Sequence, residues 1–269
     1  MEVTGYIASA LIGISLGLIG GGGSILTVPV LVYLFQIDPV LATSYSLFIV
    51  GSTSLVGAVN NVRNGLVSWK TTMLFGSASV FTVFAVRKFL VPLIPQNIVN
   101  LEGITITSSF LTLVLFGILM LKASVSMIRD RDQVDAAEER PLDLHFVRLI
   151  GYGVGIGLIT GLLGAGGGFL LIPALVFLLK LPMKKAVGTS LAIIAINSLT
   201  GFVGDLGHFS IHWSFLLAVT AIASGGIFIG EQLSRKIPAE KLKKGFGWFV
   251  LIMALYILGR ESANLFLFN

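Results

Sequence analysis

"LIGGGGSILTVPVLVYLFQ", residues Leu18–Gln36, places four consecutive glycines inside an apolar run. In the interior of one helix they would cost roughly 3–4 kcal/mol against alanine. The apolar segment that holds them extends over about 4–36 and would be about 50 Å long as a single helix. A helix is therefore expected to break at the glycines into pieces 4–19 and 24–36. Each piece falls short of the ~20 residues that a spanning helix needs.

The pattern occurs twice. Displaced by 144 residues, "GGGGSILTVPVLVYL" (20–34) lands on "GAGGGFLLIPALVFL" (164–178). Gly23 meets Gly167, Pro29 meets Pro173, Ser46 meets Ser190, Ser54 meets Ser198, Gly57 meets Gly201 and Trp69 meets Trp213. No gap is needed from residue 12 to residue 69, and roughly a third of the positions are identical, which marks an internal duplication. The expected organisation is a first transmembrane repeat over 1–128, a polar linker over 129–143 ("RDRDQVDAAEERPLD") and a second repeat over 144–269.

Composition sets the environment. Hydrophobic residues make up 55% of the 269 and charged residues 12%, against about 25% charged in soluble domains. The apolar runs recur along the whole length, so the chain reads as one polytopic, all-α membrane protein and not as a soluble domain with an anchor. Cysteine is absent, which excludes disulfides, thiolate metal centres and a thiol nucleophile. His208 and His212 are four apart, but no third ligand completes a metal site, and no cofactor is expected. The net charge of +5 fits the positive-inside bias of an inner-membrane protein, and no nucleic-acid partner is implied. The start, "MEVTGYIASALIG", lacks the basic region and small-residue cleavage site of a signal peptide.

Eight apolar segments can be counted: 4–36, 40–60, 69–91, 104–128, 146–180, 184–206, 211–233 and 245–267. If each glycine segment crosses the membrane, Lys and Arg divide 8 to 10 between the two sides. If each is a re-entrant hairpin that enters and leaves on one side, 15 of the 18 fall together, and only Arg87, Lys88 and Arg260 lie opposite. A 15:3 split is the signature of a cytoplasmic face. The expected fold is thus two inverted repeats, each a glycine-broken hairpin plus three spanning helices. Both termini are outside and the linker is cytoplasmic.

Half-helices that meet at the interface of inverted repeats are a recurring way to build a transport site. Glycine lets the backbone take positive φ and approach a ligand closely. The free N–H groups of the second half-helix then offer an anion site made from backbone. The candidate substrate-binding residues are Gly20, Gly21, Gly22, Gly23 and Ser24 in the first half, and Gly164, Ala165, Gly166, Gly167 and Gly168 in the second. Neighbouring helices add Thr43, Ser46 and Thr53, with Asn60 on the same face, and Thr189, Ser190, Asn197 and Ser198. A mid-span amide such as Asn197 should face a partner or a cavity; the hydroxyls also suit plain interhelical bonding. No Lys or Arg is expected mid-span, so an anion would meet only dipoles and amides. Asp205 and His208 are candidates for proton coupling, because histidine titrates near neutral pH. Their place at a helix end equally fits a hydrated loop pair. Glu231 and Arg235 read as a helix-end pair, and Trp69 and Trp213 as interface anchors.

"GLIGGGGSILTVPVLV", "GLLGAGGGFLLIPALV" and "AVGTSLAIIAINSLTGFVGDL" resemble the sulfite exporter TauE/SafE family, also called the toluene sulfonate uptake permease family. The resemblance covers essentially the whole chain. It implies transport of a small sulfur-containing anion (sulfite, sulfonate or sulfoacetate type) across a prokaryotic inner membrane. A proton or sodium ion is then a candidate coupling partner. The first half departs from the second, with "ATSYSLF" for "VGTSLAI" and Ser24 for a glycine, so the two half-sites should differ. Three functions compete: a secondary transporter, for sulfur-containing or other small organic anions; an anion channel or facilitator; and an intramembrane enzyme. The last is disfavoured, because no His or carboxylate stands mid-span beside a hydroxyl.

Overall fold

The computed structural model describes residues 2–21, 23–95, 97–101, 104–129, 146–164 and 166–267. The first half comprises α1 (Glu2–Ile19), α2 (Gly23–Tyr33), α3 (Pro39–Arg63), α4 (Trp69–Ala85), a short hairpin of β1 (Asn97–Leu101) and β2 (Ile104–Thr107), and α5 (Ser108–Arg129). The second comprises α6 (Phe146–Leu163), α7 (Gly168–Pro173), α8 (Met183–Asp205), α9 (Trp213–Lys236) and α10 (Ala239–Leu267). A π-turn over Val86–Leu90 and a 3-10 turn over Val91–Leu93 prolong α4, and a π-turn over Ala174–Leu178 prolongs α7. Most of the 129–143 linker lies outside the described residues.

Both apolar runs break at their glycines. Gly20 closes α1 at φ 74° and Gly164 closes α6 at φ 63°. Each donates its N–H back one turn, to Leu16 and Thr160 respectively. Left-handed backbone of this kind is what glycine adopts at no steric cost. The second arms also end alike. Gln36 and Lys180, equivalent at the 144-residue offset, both take positive φ. Ile37 N–H then reaches the Leu31 carbonyl and Leu181 N–H the Leu175 carbonyl, each over 3.0 Å. Pro173 has no N–H to continue the ladder, and the π-turn follows it directly. In α3 the start is fixed by Asp38, whose carboxylate accepts from the N–H of Val40 and Leu41, with Pro39 at the first helical position.

The arms of the first hairpin run antiparallel. Gly23 backs onto Ile12 and Leu16, and at the open end Gly5 meets the ring of Phe35. Packing partners are exchanged between the halves. The Gly13 and Gly17 face of α1 lies on Ala223, Ile227 and Gly230 of α9, and in the same way Gly153, Gly157 and Gly161 of α6 lie on Phe75, Ser79 and Val83 of α4. Small residues four apart let helix backbones approach closely where there is no water to drive association. Helices α3 and α8 run antiparallel through the centre, with Leu47 beside Gly201, Gly51 beside Leu199, Gly57 beside Leu191 and Asn61 beside Gly188. One apolar cluster joins Ile12, Leu16, Leu26 and Val30 to Leu171, Leu175 and Ile194, so the first hairpin shares a core with the second glycine-broken run.

Among the described residues, five helices are long and apolar enough to cross a membrane: Pro39–Arg63, Trp69–Leu93, Ser108–Ser126, Met183–Asp205 and Trp213–Ser234. Six were expected; the sixth, α10, is 29 residues long but is not among these five. Large apolar side chains such as Met73, Phe81, Phe228, Ile252 and Leu255 are exposed on the outer helices, as in a protein whose solvent is lipid. The chain is a multi-pass membrane protein. The all-α expectation needs one correction. Helix α5 starts at Ser108 and not at 104, because the β-branched stretch before it pairs as the antiparallel β1–β2 hairpin, Asn97 with Thr107 and Leu101 with Ile104.

The exchanged packing makes a graded prediction. A Cβ on Gly226 would lie 2.4 Å from the carbonyl oxygen of Ala10, whereas one on its neighbour Gly225 would meet nothing within 4 Å. Gly226→Ala should therefore destabilise by about 1–3 kcal/mol through overpacking, while Gly225→Ala leaves stability equal or higher. Thermal unfolding of the purified variants in detergent checks the difference. Equal melting temperatures would contradict this packing.

Candidate functional site

The two glycine turns touch. A Cβ on Gly21 would lie 2.5 Å from the Gly168 carbonyl oxygen, and one on Gly168 would lie 2.6 Å from Gly21 Cα. Only residues without side chains allow that approach. Gly22 and Ala165, both expected in the site, lie outside the described residues.

Around the first turn the groups are mostly satisfied. The Gly20 carbonyl accepts from Ser190 Oγ over 2.8 Å, and Ser24 Oγ donates to the Gly21 carbonyl over 2.7 Å. Gly23 is packed against α1. Around the second turn the hydroxyls are unspent. Gly166 and Gly167 hold φ of 65° and 69°. A Cβ on Gly166 would lie 2.9 Å from Ser198 Oγ and 2.7 Å from a Val50 methyl, and one on Gly167 would meet Thr160 Oγ1. Ser198 and Thr160 are buried, and neither hydroxyl has a hydrogen-bond partner among the described residues. Ser46, Thr53 and Ser54 on α3 are buried and unpartnered in the same sense. An unpaired buried polar group costs about 1–3 kcal/mol, so several along one pair of central helices need a reason.

Other expected residues are engaged elsewhere. Thr189 Oγ1 accepts from the Ser68 N–H and ties the entry of α4 to α8. Asn197 is fully buried and its Nδ2 donates to Ser79 Oγ on α4 over 2.7 Å, while its Oδ1 is unpartnered. Thr43 Oγ1 donates to the Val40 carbonyl and accepts from Arg87.

Arg87 overturns one expectation. From sequence, no cation is expected mid-span, and Arg87 counts with Lys88 and Arg260 on the side opposite the other charges. Instead it has no exposed surface and sits in the π-turn that prolongs α4. Its Nη1 donates to Thr43 Oγ1 over 3.0 Å and to Asp205 Oδ2 over 3.1 Å. Its stem runs past Gly201 and Gly204 of α8. The helix continues as far as Leu93, so Arg87 lies within it and not beyond its end. The clue was present, since the apolar run 69–91 already contained Arg87.

Asp205 is corrected for the same reason. It is not half of a hydrated loop pair with His208 but a buried carboxylate, 1% exposed, paired with Arg87. His208 is exposed, and its backbone N–H donates to the Asp205 carbonyl. Glu231, expected to pair with Arg235, accepts hydrogen bonds from Asn60 and Asn61 of α3; the side chain of Arg235 lies outside the described residues. Arg87 and Glu231 are equivalent at the 144-residue offset, and so are Asp205 and Asn61. The same two positions thus carry an Arg–Asp pair at one end and a Glu–Asn contact at the other.

The chain matches the family model described as Sulfite exporter TauE/SafE over residues 6–257. It is 29% identical over 264 residues to a probable membrane transporter protein of Xylella fastidiosa, covering 96% of this chain and 95% of that one. A probable membrane transporter protein of Methanocaldococcus jannaschii is 26% identical, with 94% and 93% covered, and the Bacillus subtilis probable transporter YunE is 27% identical, with 90% and 89% covered. No solved structure matches significantly. With its exchanged helical halves, its lipid-facing apolar surface and a match over nearly its whole length, the chain belongs to the sulfite exporter TauE/SafE family of membrane transporters.

Proposed function

We propose that the chain is a secondary transporter of a small sulfur-containing anion, of the sulfite, sulfonate or sulfoacetate type. The anion binds at the paired glycine turns and crosses by alternating access between two inverted halves. In this reading the protein lies in a prokaryotic inner membrane with both termini outside, and a proton or sodium gradient supplies the energy. Residues 1–128 and 144–269 are the two repeats, and 129–143 is the cytoplasmic linker.

The carrying observation is the second turn, where unpartnered hydroxyls of Ser198 and Thr160 lie against Gly166 and Gly167. Backbone in this conformation presents amides to an oxoanion without a side chain in the way. The antiparallel course of α3 and α8, equivalent elements of the two halves, supports inversion. The closed hairpin of α1 and α2 and the 15:3 charge split support re-entrant segments. Direct contact between Gly21 and Gly168 supports a carrier over an open channel, since the turns must part for a solute to pass. Half-helix arms against a pseudo-symmetric partner suit rocking of one half on the other.

A ligand that binds the folded form raises its apparent stability, by about 2.7 kcal/mol at 100 times Kd. The purified transporter should be stabilised by at least one of sulfite, sulfoacetate or taurine, and less by simple carboxylates at equal concentration. Thermal unfolding across that panel tests the substrate class; stabilisation by carboxylates alone would redirect it to another organic anion.

A further inference from the structure

We infer that Arg87 is itself an anion-docking residue, whose free guanidinium edge grips two oxygens of an oxoanion beside the Gly164 turn. The inference rests on the anion-transport reading above and adds to it a cationic contact.

Of the three guanidinium nitrogens of Arg87, one is engaged by the protein. Nη1 carries both protein contacts, to Thr43 Oγ1 and Asp205 Oδ2. Nε and Nη2 are buried and have no hydrogen-bond partner among the described residues. Those two nitrogens form one side of the planar guanidinium, and their N–H bonds run parallel. This is the edge that matches a carboxylate, sulfite or sulfonate with two hydrogen bonds at once. Were Arg87 only a structural latch to Asp205, the pair would be expected to meet through that fork. The protein instead holds Asp205 on the other nitrogen and leaves the fork free.

Position supports the same conclusion. Nη2 lies where a Cβ on Gly164 would stand, 2.3 Å from it, so the free edge abuts the glycine turn. Gly164 holds φ 63° and belongs to the same turn as Gly166 and Gly167. Desolvation makes the arrangement meaningful, because a buried cation with unpaired donors is costly unless a partner joins it. Asp205 neutralises the charge and Thr43 orients Nη1, which leaves the fork to a ligand. Access is short. Asp205 is the last residue of α8, and the next three residues, Leu206, Gly207 and His208, are all exposed. A movement of that helix end would open the fork to the outer side in the proposed topology. At the other end the equivalent position is Glu231, which has no guanidinium, so the fork serves one end of the pathway only.

The test compares wild type, Arg87→Lys and the neutral double variant Arg87→Gln/Asp205→Asn. Affinity is measured by calorimetry in detergent for sulfite, sulfoacetate, sulfate, acetate and phosphate, with dimethyl sulfone as the uncharged control; melting temperature is read in parallel. Arg87→Lys keeps the charge and the Asp205 pair but lacks the fork. It should weaken whichever oxoanion wild type binds by at least about tenfold, which is about 1.4 kcal/mol. The double variant removes both buried charges, so it should melt near wild type yet show no saturable anion binding. Should the double variant fail to fold, Arg87→Lys alone decides. Binding within twofold of wild type in either variant would overturn the docking role while leaving the sulfur-anion reading intact. Strong dependence on Arg87 with acetate as the only ligand would uphold the docking role and overturn that reading. Wild type binding none of the five anions would overturn both.

Discussion

Gly166→Leu should abolish transport while leaving folded protein in the membrane. A Cβ at this position would stand 2.7 Å from a Val50 methyl and 2.9 Å from Ser198 Oγ, and the remaining leucine atoms would fill the space at the turn. The backbone adds a second cost, since φ of 65° is the left-handed region that disfavours side chains by about 1–2 kcal/mol. Overpacking contributes a further 1–3 kcal/mol or so. A helical membrane protein can lose that much and still fold, but the turn could no longer offer its backbone to an anion. Gly65→Leu is the control. Gly65 has nearly the same φ, 69°, yet nothing lies within 4 Å of its Cβ position. It carries the conformational cost without the steric one, and its uptake should stay within about twofold of wild type. Uptake assays normalised to membrane-inserted protein separate the two. Wild-type flux through Gly166→Leu would mean that the turn is not part of the site.

The second large effect concerns sidedness. Asn64 and Lys184 are both exposed. With re-entrant glycine segments they share the cytoplasmic side, whereas eight simple crossings would put them on opposite sides. The chain has no cysteine, so Asn64→Cys and Lys184→Cys each introduce a single thiol. A membrane-impermeant maleimide should leave both unlabelled in intact cells and label both in inside-out vesicles. His208→Cys and tags at either terminus should behave in the opposite way. Labelling of Asn64→Cys and Lys184→Cys from different sides would rule out the inverted arrangement.

The helix breaks were legible because glycine runs and their spacing are local properties. α1 ends at Ile19 and α6 at Leu163, next to the glycines that the sequence reading singled out. The ends of the second arms follow the same 144-residue spacing, since Gln36 and Lys180 both take positive φ. What could not be read was decided by tertiary packing. Ser198 and Asn197 are adjacent in sequence, yet one lies against Gly166 and the other bonds Ser79, because a helix turns about 100° between neighbours. Thr160 was overlooked because a threonine one turn before a helix end looks like any other. Arg87 was misplaced by a sound rule, since charges usually flank spans; only burial against Gly201, Gly204 and Asp205 reveals that this one does not. Glu231 also meets Asn60 and Asn61 on another helix, contacts that its spacing from Arg235 in the sequence gives no hint of.

The central claim is that a small sulfur-containing anion moves through the paired glycine turns, and flux in reconstituted liposomes tests it most directly. Radiolabelled sulfite and sulfoacetate should enter saturably, and each should compete with the other. Dimethyl sulfone and a trimethylsulfonium cation of similar size should neither enter through the protein nor compete, because the amides, hydroxyls and buried guanidinium around the turns all favour negative charge. Protein-dependent flux of the neutral or cationic compound equal to that of the anions would contradict the account.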